Sequence, residues 1–174
     1  MSETEFLFAI AQVAATFAGF STLVVVVRQD ARRTRGALVT ARLISMLQRS
    51  LITILSCFVP FLPRYAGLSA IYSWRLSSGV FFVAWLIHYV HNLYRLRSQG
   101  VFAHLSGYNR WNVFVVDPVT MAALALGSVG FWGSNIEVVY LCCTLVMLYI
   151  CGFLFLQQVK ALNVDDTQSD SIAV

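Results

Sequence analysis

The feature that most constrains this chain is an apolar run near its start, from Phe6 to Val27, which contains no charged side chain. A helix needs roughly 20 apolar residues to cross the ~30 Å hydrocarbon core of a bilayer. The run is long enough to do so. The acidic residues Glu3 and Glu5 stand where a signal peptide would have a basic segment. The run therefore predicts a membrane-spanning helix.

The composition of the whole chain also indicates a lipid environment. Hydrophobic residues make up 59% of the 174 residues and charged residues 11%. Soluble domains are usually about 45–50% apolar and about 25% charged. A soluble domain of this size buries only about two thirds of its surface, so lipid must cover many of these side chains. We predict an all-α integral membrane protein.

Further apolar segments are long enough to span the bilayer, and we place them at residues 38–62, 75–95, 111–132 and 138–156. With residues 6–27 they make five transmembrane helices in one domain, residues 1–162. The polar sequence after this domain predicts a cytoplasmic tail at residues 163–174.

The distribution of Lys and Arg predicts the orientation, because cytoplasmic loops carry an excess of these residues. Four arginines follow the first span, three lie between the third and fourth spans, and Lys160 follows the fifth. The opposite loops contain only Arg64 and Arg75. The N-terminus is therefore expected outside and the C-terminus in the cytoplasm. The net charge of +4 then reflects topology and predicts no nucleic-acid partner.

The first span carries the motif I-A-Q-V-A-A-T-F-A-G-F at residues 10–20. This motif resembles the opening of a group of small bacterial multi-span membrane proteins with no assigned activity. The resemblance covers mainly the first span and the Arg-rich loop after it. It implies a location in the bacterial inner membrane and no particular chemistry.

Three ionisable residues on different predicted spans fall at a similar depth: Arg49, His88 and Asp117. At a helical rise of about 1.5 Å per residue, each lies roughly 9–12 Å from the cytoplasmic end of its span. A charge near the middle of a membrane costs about 2.5–3.5 kcal/mol even on the lenient insertion scale. We expect Arg49 to pair with Asp117, while His88 or a tyrosine completes the hydrogen bonding. The pair could be an assembly clamp or part of a water-filled path.

Arginine recurs every seven residues in the second span, which places polar side chains on one helix face. The candidates for a pore lining on this face are Arg42, Ser45, Arg49, Thr53 and Ser56. The competing interpretation is packing against neighbouring helices, with the hydroxyls bonded to backbone carbonyls.

Small residues at four-residue spacing predict close helix packing or subunit contact, and they are Ala11, Ala15, Gly19, Ala123 and Gly127. His88 and His91 share a helix face, but no further ligand completes a tetrahedral metal site. We therefore predict no metal and no cofactor.

These features predict a homo-oligomeric channel for small inorganic ions, leaning toward anions because its charged lining is arginine. The first alternative is a small proton- or ion-coupled transporter that uses Arg49, His88 and Asp117. The second is a non-transporting assembly or regulatory module. An enzyme is not expected, since no nucleophile–base pair is apparent.

Overall fold

The computed structural model describes residues 3–29, 36–98 and 110–170, with side chains described within 3–23, 44–98 and 110–157. The described residues form helices and turns, without any strand. The helices are α1 (Glu3–Gln29), α2 (Gly36–Phe58), α3 (Phe61–Tyr65), α4 (Ala70–Ser98), a π-helical turn (Asn112–Val116), α5 (Asp117–Ser128), a 3₁₀ turn (Gly133–Asn135) and α6 (Ile136–Asp170).

Within the described residues, four helical segments are long and apolar enough to cross a membrane. They are Glu3–Leu23, Ile44–Tyr65, Ala70–Ser98 and Gly133–Gln157, and Asn112–Ser128 is a shorter apolar helix. Helix α6 contacts α1, α2, α4 and α5, so it is the central element of the bundle. These lengths and compositions are those of a membrane protein.

The helix of the fourth predicted span is shorter than expected, because it ends at Ser128 although the apolar sequence continues to residue 132. Gly130 has a φ of 86° and supplies the left-handed residue of a C-terminal cap. Its N–H donates to Gly127 O, and the Phe131 N–H donates to Leu126 O. This Schellman pattern satisfies the last carbonyls and stops the helix.

Helix α2 also ends earlier than the sequence predicts, at Phe58. Pro60 follows and precedes α3, in which Pro63 is buried. Proline lacks the N–H that would continue the helix. Gly67, with a φ of 83°, then closes α3 and turns the chain toward α4.

One end of the bundle brings together the start of α1, helix α3 and the turn between α5 and α6. We call it the Arg64 end. Arg64 Nη2 lies 3.2 Å from Glu3 Oε2. The Arg75 guanidinium packs against Gly130, where an added Cβ would lie 2.6 Å from Cζ. The connections that alternate with these, residues 30–35 and 99–109, lie outside the described residues.

Candidate functional site

The centre of the bundle contains an ion pair between Arg49 on α2 and Asp117 at the start of α5. Arg49 Nη2 donates to Asp117 Oδ2 at 2.9 Å, and Nη1 donates to Oδ1 at 3.4 Å. Arg49 is 4% exposed and Asp117 is fully buried. The two-pronged geometry matches the guanidinium fork to the carboxylate.

A π-helical turn positions Asp117. The N–H of Asp117 donates to Asn112 O, five residues earlier. The following residue, Pro118, has no N–H, and in a regular α-helix its ring would clash with the carbonyl of Phe114. The wider π turn relieves this conflict, and such turns often occur at functional sites.

Two rings from α4 lie beside Arg49. The guanidinium carbon lies 5.0 Å from the centroid of the Trp85 ring, a cation–π contact. The His88 ring centroid lies 5.6 Å from that of Trp85, and both residues are buried. This three-residue contact links α2 to α4 beside the carboxylate from α5.

Three buried nitrogen atoms beside this centre have no hydrogen-bond partner among the protein atoms. They are Arg49 Nε, Trp85 Nε1 and His88 Nε2. Leaving one buried donor unpaired costs about 1–3 kcal/mol. Buried polar atoms in folded proteins usually have a partner, such as a water molecule or an ion.

The expected extra hydrogen bond to the pair comes from neither His88 nor a tyrosine. His88 Nε2 has no partner. Tyr89 donates its hydroxyl to Val113 O at 3.1 Å. That carbonyl lies in the π-helical turn, so Tyr89 stabilises the backbone that carries Asp117.

Two of the remaining pore candidates on α2, Thr53 and Ser56, face the interior of the chain. Thr53 and Ser56 are buried, and their hydroxyls donate within α2 to Arg49 O at 2.9 Å and Thr53 O at 2.7 Å. Ser45 is half-buried, and the Arg42 side chain lies outside the described residues. The chain's own helices therefore enclose Arg49, Thr53 and Ser56, and the lining of an oligomer axis by this stripe stays a prediction.

Buried aromatic rings connect the ion pair to the Arg64 end. The Phe81 ring centroid lies 6.5 Å from that of Trp85 and 5.6 Å from that of Tyr140. Trp74 continues the column, at 5.3 Å from Tyr140. The Arg64 guanidinium carbon lies 5.3 Å above Trp74. The column fills the bundle between the two arginines.

The small residues at four-residue spacing divide into positions packed inside the bundle and positions that face outward. Gly127 brings α5 close to α4, since an added Cβ would lie 3.3 Å from Ser78 Oγ. Ala11 is buried and Ala123 partly buried against the core. Ala15 and Gly19 are exposed, and nothing lies within 4 Å of a Cβ built at Gly19.

Sequence reasoning missed Trp85 and the π-helical turn. Trp85 and His88 stand three residues apart and so share a helix face, which was a usable signal. The Asp117-Pro118 pair was the signal for the turn. Comparisons with family models, curated proteins and solved structures found no match to this chain.

Proposed function

We propose that this chain is a small membrane transporter that moves a small inorganic anion together with a proton through the Arg49–Asp117 centre. The observation that carries the proposal is a buried ion pair beside three buried nitrogen atoms without a hydrogen-bond partner, on Arg49, Trp85 and His88. Ionisable residues inside membrane helices commonly mark ion pathways and proton relays.

The charge of the centre supports coupling between the two ions. Arg49 and Asp117 neutralise each other, and an anion bound at Arg49 would add one uncompensated negative charge. A single charge at this depth costs about 2.5–3.5 kcal/mol or more. Protonation of Asp117 removes that cost, because the protonated acid leaves Arg49 to pair with the anion. Anion and proton are then loaded as a neutral pair.

The hydrogen-bonding inventory favours an anion over a cation. Arg49 Nε and Trp85 Nε1 can only donate, and His88 Nε2 can donate in one of its neutral tautomers. Asp117 is the one carboxylate among these groups, and Arg49 already occupies it. Surplus donors with a fixed guanidinium are suited to a small anion.

We further propose five spans with the N-terminus outside the bacterial inner membrane. The meeting of Glu3 with Arg64, and of Arg75 with Gly130, supports this topology, since all three predicted outer segments lie at one end. The loops rich in arginine would then face the cytoplasm. In this orientation the aromatic column closes the path between the ion pair and the exterior.

The test uses purified protein in liposomes that contain a pH-sensitive dye. An inward gradient of chloride, bromide or nitrate should acidify the interior faster than in protein-free liposomes. Gluconate, which is much larger, should not. Clamping the membrane potential with potassium and valinomycin should leave the rate unchanged, because the loaded pair is neutral. Absence of anion-driven proton movement for every anion would refute the proposal.

A homo-oligomeric channel is the second candidate, and the outward face of α1 favours it. Gln12, Ala15, Thr16 and Gly19 are all exposed and share one helix face. A glutamine beside small residues suits helix association within lipid. Cysteine at Ala15 should form a disulfide-linked dimer if this face joins two copies. Ionic current that follows the membrane potential without proton movement would favour this candidate.

A further inference from the structure

A groove on the outside of the bundle runs between α4 and the end of α5, away from the ion pair. It has a volume of about 910 Å³ and is open along one side. Its lining includes Arg75, Gly79, Val80, Val83, Ile87 and Ser128. Val80, Val83 and Ile87 are each at least 46% exposed, so one long wall is apolar and unpacked.

Gly79 creates the depth of this groove. A Cβ built at Gly79 would lie 3.5 Å from Ser128 Cβ, an ordinary contact distance. Alanine is therefore tolerated at this position, whereas a larger side chain has to extend into the groove. The absence of a side chain leaves a continuous apolar channel beside α4.

Arg75 lies at the Arg64 end of the groove and has no carboxylate partner among the described residues. Its Nε is buried and makes no hydrogen bond. Its guanidinium carbon lies 5.8 Å from the ring centroid of Tyr72, which is exposed and carries a hydroxyl donor. Arg64, at the same end, is in contrast already paired with Glu3.

The dimensions match a lipid molecule. Arg75 and Ile87 are twelve residues apart on one helix, which corresponds to about 18 Å. One leaflet has roughly 15 Å of hydrocarbon, half of the bilayer core. An arginine at the head of an apolar groove of this length offers a phosphate contact and an acyl-chain contact in the correct order.

We propose that this groove binds one anionic phospholipid, with its phosphate on Arg75 and an acyl chain along Val80, Val83 and Ile87. Charge complementarity identifies the occupant. A zwitterionic lipid fits the apolar wall equally well but has a weaker net attraction to an unpaired guanidinium. Basic pockets between membrane helices on the cytoplasmic side bind anionic head groups, and the same charge attraction acts on Arg75 at the Arg64 end. The inference is independent of the transport proposal, because Arg75 and Arg49 belong to separate sites.

The test counts lipids retained by the full-length protein in native mass spectrometry. The protein is released from detergent in the presence of phosphatidylglycerol or phosphatidylcholine with identical acyl chains. One phosphatidylglycerol should remain bound under conditions that remove phosphatidylcholine. Arg75→Gln should weaken phosphatidylglycerol retention about fivefold, and Arg75→Lys should preserve most of it. Arg64→Gln is the matched control and should retain lipid like the unchanged protein.

Variants of Gly79 test the acyl-chain part of the site separately. Gly79→Leu should reduce retention of phosphatidylglycerol although Arg75 is present, whereas Gly79→Ala should not. Equal retention of the two lipids, or undiminished retention by both Arg75→Gln and Gly79→Leu, would overturn the proposal. Displacement of phosphatidylglycerol by inorganic phosphate, together with undiminished retention by Gly79→Leu, would also overturn it, because that result would indicate a simple anion site. A change of oligomeric state in Gly79→Leu without lipid loss would assign the groove to a second copy.

Discussion

Replacing Asp117 by asparagine should destabilise the protein strongly, although the side chain keeps its size. The neutral amide would leave Arg49 charged, buried and without a counter-ion. Removing one partner of a buried ion pair commonly costs about 3–5 kcal/mol. Because Asp117 is fully buried and Arg49 is 4% exposed, solvent cannot screen the remaining charge. We expect a loss in this range in the free energy of unfolding.

The reverse variant, Arg49→Met, removes the cation and keeps most of the stem. It should cost a similar amount, and it also loses the contact of the guanidinium with Trp85, which is worth about 2 kcal/mol when desolvated. In the double variant neither charge remains. Its loss should therefore be smaller than the sum of the two single losses by about 2–3 kcal/mol.

The assay is reversible unfolding in mixed micelles of dodecyl maltoside and dodecyl sulfate, followed by circular dichroism. The control pair is Glu3→Gln and Arg64→Gln. Both side chains are about one third exposed, and each variant should cost at most about 1 kcal/mol. Losses at Arg49 and Asp117 that add within about 0.5 kcal/mol would refute the reasoning, because independent sites behave in that way.

Three further predictions concern topology and backbone. A cysteine introduced at Ser134 should react with an impermeant maleimide from outside the cell, and one at Ser98 should react only after permeabilisation; the reverse pattern would invert the topology. Gly130→Ala should cost about 1–2 kcal/mol in unfolding free energy, since φ is 86° and Arg75 must also move; an unchanged stability would contradict the cap. Gly127→Val should cost about 1–3 kcal/mol by crowding Ser78, whereas Gly19→Val, with open space around it, should change stability by less than about 0.5 kcal/mol. Equal effects of the two valines would contradict the assigned packing.

The contact between Arg49 and Asp117 could be expected from the sequence because lipid leaves few alternatives. A regular helical rise fixes the depth of a residue along its span, and a charge at that depth requires a partner. The same argument could not give the rotation of α2. Heptad spacing shows that polar residues share a face, but only packing decides that Thr53 and Ser56 point into the chain.

The small residues of α1 are a second case in which residue spacing alone did not predict burial. Residues four apart advance by about 40° around a helix, so Ala11 and Gly19 differ by about 80°. Ala11 is consequently buried while Gly19 is exposed. The end of α5 was missed for a different reason, because apolar residues continue past Ser128 and only the glycine cap at Gly130 stops the helix.

The most direct test of the transport proposal compares the unchanged protein with Asp117→Glu and Asp117→Asn in the same liposomes. The measured quantity is the ratio of protons to anions that enter under an anion gradient, from dye acidification and radioactive chloride uptake. The unchanged protein should give a ratio near one, and Asp117→Glu should keep it, because a titratable carboxyl is still present. Asp117→Asn should reduce proton entry to that of protein-free liposomes. Equal proton entry with asparagine at this position would show that Asp117 carries no proton and would contradict the account.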